Sequence, residues 1–223
     1  MGIKRRRSAT EWTDAILLKR YTGSDWTDVT VSRRYNGSEW KPLWRPAGTY
    51  TGSYTPTEYA SYYMSDSQRI TSGIPSANGM PVIIQGSSTG KASGIVSTML
   101  FFPSDTIMDD LYDSTILSAS LELTCIRSSS SVTGTYLLLH YGGGITACPQ
   151  TWDGTDSGDA DSGTPRIFEN GTVSVALNSA VSAGLRSGKV KYIALNAAGL
   201  SDSRYYGQFD ASSVRLNIQY KYT

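Results

Sequence analysis

A single histidine and two cysteines are all that 223 residues offer for imidazole catalysis or soft-metal ligation. One histidine excludes a multi-histidine metal centre. Cys125 and Cys148 are too few and too widely spaced for a zinc motif and read as two free, buried thiols. An excess of one charge is also missing. The 20 Lys+Arg face 19 Asp+Glu, a net charge of +1, so bulk electrostatics favours neither nucleic acid nor a membrane surface as partner. Long apolar runs are absent as well. The longest, near residues 100–102, is cut by Pro103 and cannot span a bilayer. The basic start, residues 1–7, is followed by Ser8, Ala9 and Thr10 and not by an apolar core, so it does not read as a secretion signal, and synthesis in a cytoplasm is expected.

What the chain does have is Gly, Ser and Thr together with 15 Tyr and 5 Trp, a composition of strands and turns. The length suits one large β-sandwich plus a small module.

The small module is an internal repeat. Glu11-Trp12-Thr13-Asp14 matches Asp25-Trp26-Thr27-Asp28, and Lys19-Arg20-Tyr21-Thr22-Gly23-Ser24 matches Arg33-Arg34-Tyr35-Asn36-Gly37-Ser38. Trp12, Trp26 and Trp40 therefore recur at equal spacing. Asn36-Gly37, with Thr22-Gly23 at the equivalent place, is a hairpin signal, because these residues tolerate positive φ. Val29 and Val31 alternate with Thr30 and Ser32, as in a half-buried strand. The expectation is a small antiparallel β-meander over residues 1–45, its three Trp either a mini-core or a stacking platform. The run Lys4-Arg5-Arg6-Arg7 reads as a docking arm. Trp12, Trp26, Trp40, Arg5, Arg6 and Arg7 are the candidate partner-docking residues.

Pro42, Pro46 and Gly48 punctuate the chain, and a second domain is expected over residues 50–223. Thr, Ser and Tyr dominate residues 49–63, which read as an edge strand with loops. Further strands are expected at residues 82–85, 94–102, 118–126, 135–141, 173–177, 192–195 and 214–222. Ala119, Leu121, Leu123 and Cys125 alternate with polar residues, as do Val214, Leu216, Ile218, Tyr220 and Tyr222. Two short helices are expected: residues 107–112, capped within Ser104-Asp105-Thr106, and residues 179–186, capped by Asn178 and stopped by Gly188. About eight strands in this length point to a jelly-roll β-sandwich, and the fold class is all-β.

Catalytic signals are weak. Gly86-Ser87-Ser88-Thr89-Gly90 matches the G-x-S-x-G spelling, but no helix follows and His140 lies within an expected strand, so it reads as a polar hairpin loop. Asp109 and Asp110 are adjacent and diverge, while Glu58, Asp66, Asp202 and Asp210 are scattered. A glycoside hydrolase, which needs two converging acids, is therefore the least favoured reading. The chain is expected not to be an enzyme and to need no cofactor. The one metal candidate is Ca2+, on the loop holding Asp153, Asp156, Asp159 and Asp161, whose alternative is a solvated Gly/Asp turn. Tyr62, Tyr63, Tyr205 and Tyr206 are candidate stacking residues for a glycan.

The series from Gln85-Gly86 through residues 94–102 and 118–126 continues to His140-Tyr141-Gly142-Gly143. Trp152-Asp153-Gly154, Val173-Ser174-Val175-Ala176-Leu177, Leu185-Arg186-Ser187-Gly188 and Tyr205-Tyr206-Gly207-Gln208-Phe209-Asp210 complete it. This series resembles the carbohydrate-binding-module-like jelly rolls of bacterial surface proteins and of phage tail or fibre proteins. Arg34-Tyr35-Asn36-Gly37-Ser38-Glu39-Trp40 is similar to short repeats in virion proteins of tailed bacteriophages. The resemblance implies a virion structural protein of the tail, fibre, baseplate or capsid decoration, acting in adhesion or assembly. Its implied partners are other virion proteins, further copies of itself and a host-surface glycan. A glycan-binding module of a surface protein is the alternative.

Overall fold

In a computed structural model, residues 4–6, 12–14, 19–21, 24–28, 32–35, 40–70, 81–91, 94–128, 134–156, 158–161 and 165–223 are described. The protein is mostly β-strand, with antiparallel sheets and two helices.

The repeat folds as one hairpin per unit. β1 (Lys4–Arg6) pairs with β2 (Trp12–Asp14), β3 (Lys19–Tyr21) with β4 (Trp26–Asp28), and β5 (Ser32–Tyr35) with β6 (Trp40–Trp44). Each Trp of the repeat heads a returning strand, opposite Arg6, Tyr21 and Tyr35 in turn. Among the described residues no ladder joins one hairpin to the next. The described residues of the module are three two-stranded antiparallel units, and most of the turns and segments that link them lie outside the described residues. The strand expected around Val29 and Val31, the Thr22-Gly23 and Asn36-Gly37 turns, and Arg7 lie outside the described residues.

The rest of the chain forms two sheets facing each other. The ranges are β7 (Gly48–Tyr54), β8 (Glu58–Tyr63), β9 (Val82–Gln85), β10 (Val96–Phe101), β11 (Thr115–Ser128), β12 (Thr135–Tyr136), β13 (Leu139–Gly142), β14 (Gly158–Asp159), β15 (Arg166–Ile167), β16 (Thr172–Ala176), β17 (Tyr192–Leu195), β18 (Gly207–Asp210) and β19 (Arg215–Tyr222). One sheet has the order β14-β13-β17-β10-β8, the other β7-β19-β11-β18-β9, with β16 on the far edge of β11.

The long strand β11 organises the second sheet. Its first half pairs with β19 and its second half with β18, which follow one another along the same edge. The alternation read in the sequence is the inward face. Ala119, Leu121, Leu123 and Cys125 meet Leu216, Ile218 and Phe209 from this sheet, and Leu100, Leu139, Ile193 and Leu195 from the other, in one core. Both thiols are buried and unpaired.

The first sheet is covered on both faces, which is why β17 is apolar at every position. Ile193 and Leu195 enter the main core, while Tyr192 and Ala194 face a second cluster with Tyr62, Met99, Phe101, Cys148 and Trp152.

α1 (Ser104–Leu111) and α2 (Ser179–Ser187) close the main core with Ile107, Leu111, Val181 and Leu185. The two N-termini differ. Asn178 caps α2 by accepting the Val181 N–H at 3.0 Å, and Gly188 ends it at φ 67°. At α1 the expected Ser-Asp-Thr cap does not form. Pro103 occupies the cap position, with no side-chain bond. The strand expected over residues 135–141 is split into β12 and β13. Leu137 donates its N–H to Pro165 O, Leu138 donates to Gln85 Oε1, and the chain passes from β15 to β17.

Candidate functional site

A cleft of about 270 Å3 opens where the end of β8, the loop after β9, the start of β10 and the segment entering β18 meet. Its floor is aliphatic, from Ile70, Ile84 and Val96. Tyr63 and Tyr206 stand in its wall, Tyr63 at 42% exposure and Tyr206 at 9%. Polar groups come from Ser88, Thr89 and Gln208, and Gly86 and Gly94 bring backbone to the surface. Among the described residues, none that lines the cleft is charged.

The local sequence explains this shape. β9 runs into β10 through the Gly86-Ser87-Ser88-Thr89-Gly90 loop, closed by reciprocal Gly86–Val96 backbone bonds of 2.7 and 3.0 Å. Gly86 sits at φ 82°, and an added Cβ would lie 2.5 Å from Tyr205 O, so only glycine lets the 3-10 turn that leads into β18 pack here. The Thr98 hydroxyl then replaces a ladder partner, donating to Ile84 O at 2.8 Å and accepting from Ile84 N at 3.2 Å. The cleft lies beside this junction of β9 and β10.

Gln85 fixes the opposite side. It is fully buried. Its amide nitrogen donates to Tyr136 O at 2.8 Å and Tyr205 O at 2.9 Å, and its oxygen accepts from Leu138 N at 3.1 Å. Gln208 Nε2 donates to the Tyr206 hydroxyl at 2.6 Å and holds that ring in the wall.

The four tyrosines singled out from sequence do not form one platform. Tyr63 and Tyr206 share the cleft, but their neighbours face elsewhere. Tyr62 is wholly buried, edge-on to Trp152 at 5.5 Å, and donates to Pro149 O at 2.8 Å. Tyr205 packs against Tyr136 at 6.0 Å, with Arg166 over the Tyr136 ring at 4.6 Å. Ser88, Thr89 and Gln208 were not singled out from sequence as ligand groups. The signal for Ser88 and Thr89 was the polar loop between two apolar strands, while Gln208 lies in β18.

The chain matches no family model and no curated protein.

The Asp-rich loop is built for structure. Asp156 points inward, accepting from the Tyr192 hydroxyl at 2.9 Å and from Asn196, with His140 Nδ1 at 3.6 Å. Burial raises its pKa above the ordinary carboxylate value, against the pull of the Asn196 and Tyr192 hydrogen bonds. Asp153 turns outward and accepts from Thr155 N at 2.9 Å. Asp159 lies 3.6 Å from His140 Nε2, and Asp161 accepts from Leu139 N at 3.3 Å. The four carboxylates diverge, and among the described residues no three metal-ligating side chains gather. His140 is the strand residue expected, clasped between two carboxylates.

The scattered acids each serve a local bond. Asp110 meets Arg45 at 2.9 Å, Glu58 accepts from Cys148 N at 3.1 Å, and Asp66 accepts from Gln68 N at 3.1 Å. Asp202 pairs with Arg204 at 2.7 Å, and Asp210 caps Ser212 N at 2.8 Å. Of the candidate docking residues, Arg5 and Arg6 lie in β1, while Trp12, Trp26 and Trp40 begin β2, β4 and β6. No helix among the described residues is long and apolar enough to cross a membrane.

Proposed function

We propose that this chain is a non-enzymatic structural protein of a tailed-phage virion. Residues 1–45 dock it to the particle and to neighbouring copies, and the jelly-roll sandwich over residues 50–223 is presented for assembly or host-surface attachment. The observation that carries this reading is the N-terminal repeat. One hairpin is built three times with a strand rich in Lys and Arg opposite a strand headed by Trp. A two-stranded hairpin is only marginally stable alone. Two-stranded units with no ladder between them among the described residues gain by lying on a partner, and a unit repeated three times suits a symmetric one. Removing residues 1–44 is expected to lower the mass of the assembly in light scattering.

The cleft supports a second role for the same chain, recognition of a neutral sugar. Tyr63 offers a partly exposed ring for stacking, and Ser88, Thr89 and Gln208 offer the hydroxyl and amide groups that sugar hydroxyls need. The volume is at the small end of the about 300–1,000 Å3 typical of ligand clefts, the scale of one or two rings. On a panel of neutral saccharides, Tyr63→Ala is expected to weaken binding about tenfold or more, as loss of a stacking aromatic implies. Tyr205→Ala, which removes a ring outside the cleft, should leave binding unchanged. Equal loss in both variants, or binding by neither parent nor variant, contradicts the cleft reading.

A further inference from the structure

We infer that β7 is a self-association edge, pairing antiparallel with β7 of a second copy about a twofold axis at Thr51. It goes beyond the N-terminal docking role and does not depend on it.

β7 ends its sheet. It pairs with β19 over seven residues, from Gly48–Tyr222 to Tyr54–Leu216, with no register shift. Its outer backbone groups have no hydrogen-bond partner among the described residues. Proteins usually blunt such an edge with a charge, a proline, a bulge or a short strand. Gly48-Thr49-Tyr50-Thr51-Gly52-Ser53-Tyr54 has none of these, and the nearest prolines, Pro46 and Pro56, lie just outside it. The strand is regular, uncharged and open.

The side-chain pattern specifies a second copy as the occupant. With Thr51 opposite Thr51 of the partner copy, Thr49 faces Ser53, Tyr50 faces Gly52 and Gly48 faces Tyr54. On the inward face each tyrosine stands opposite a glycine in register, and each copy's own Tyr54 ring lies over its Gly52. On the outward face, where Thr49, Thr51 and Ser53 are exposed, hydroxyl meets hydroxyl. Cross-strand Thr–Thr and Thr–Ser pairs favour such a ladder, and no like charges are brought opposite each other. The contact is isologous and closes at two copies per edge.

The test uses the full chain. Thr51→Lys places two ammonium groups opposite each other at the axis while leaving the inward face intact, and should weaken association about tenfold or more. Thr51→Cys should give a disulfide-linked dimer on mild oxidation, because facing Cα atoms about 4.5–5.5 Å apart fall within the disulfide range. Leu117→Cys, at a residue 50% exposed on another strand, should not cross-link. The native thiols stay out of the exchange, since burial pushes Cys125 up to about 11 and Cys148 up to about 12. Unchanged mass in Thr51→Lys together with no cross-linking in Thr51→Cys overturns the inference. That result leaves the N-terminal role standing, because only removal of residues 1–44 tests it.

Discussion

Replacing Asp110 by alanine is expected to cost about 3 kcal/mol of stability, read as a lower denaturant midpoint at an unchanged slope. Asp110 is the anchor at the entrance to the sandwich. One oxygen takes Arg45 Nη2 at 2.9 Å and the other takes the Tyr54 hydroxyl at 2.8 Å. Arg45 is the residue just after β6, and its side chain is only 11% exposed. Its guanidinium also donates to Asp109 O at 3.2 Å and lies over the Tyr222 ring at 5.4 Å, while Nε has no hydrogen-bond partner among the described residues. Without the carboxylate, a mostly buried cation keeps one carbonyl and one ring face. That imbalance costs more than the pair itself contributes, so replacing both partners, Arg45→Met with Asp110→Leu, should recover most of the loss. If Asp110→Ala unfolds at the same midpoint as the parent, the anchor has no energetic weight.

The second large effect is expected at Gln85. Gln85→Leu keeps the volume and removes all three amide bonds at once. It leaves the Tyr136 and Tyr205 carbonyls and the Leu138 N–H, all part-buried, without their amide partner. At about 1–3 kcal/mol for each stranded group, a loss of about 4 kcal/mol follows. The effect should extend beyond stability, because the Tyr205 carbonyl also sets the position of Gly86 and of Tyr206 in the cleft wall. Gln85→Glu, which keeps the acceptor and loses the donors, should be destabilised too, and at neutral pH would also carry a buried charge. Near-parental stability in Gln85→Leu would mean that the two segments are held by packing alone.

Much of the fold was legible because long strands such as β11 and β19 bury one face and expose the other more. The alternation in β11 and β19 gave the core, and Asn178 and Gly188 gave the limits of α2. The break between β12 and β13 was not legible. Leu137 and Leu138 are apolar like their neighbours, and only the distant Gln85 and Pro165 decide that the ladder ends there. The α1 cap failed for a local reason, since Pro103 starts the helix before Ser104 can cap it. In the candidate site, Tyr62, Tyr63, Tyr205 and Tyr206 were read as candidate stacking residues. Tyr62 and Tyr63 are neighbours in β8 and point to opposite sides, a rule available from sequence. Tyr205 ends a 3-10 turn, Ser203–Tyr205, that was not expected from sequence. Trp152 holds Tyr62 out of the cleft, and Tyr136 holds Tyr205 out. The inward turn of Asp156 was hidden, since Asn196 and Tyr192 lie far along the chain.

The central claim is that the N-terminal hairpins are an assembly module and the sandwich a separate body. The main core draws all its described residues from Tyr54 to Tyr222, so a chain starting at Arg45 keeps it and the Asp110 anchor. The most direct test is the solution mass by light scattering of the full chain and of the chain lacking residues 1–44. The account predicts a larger assembly for the full chain and no more than two copies for the shortened one. The same number of copies in both would contradict it.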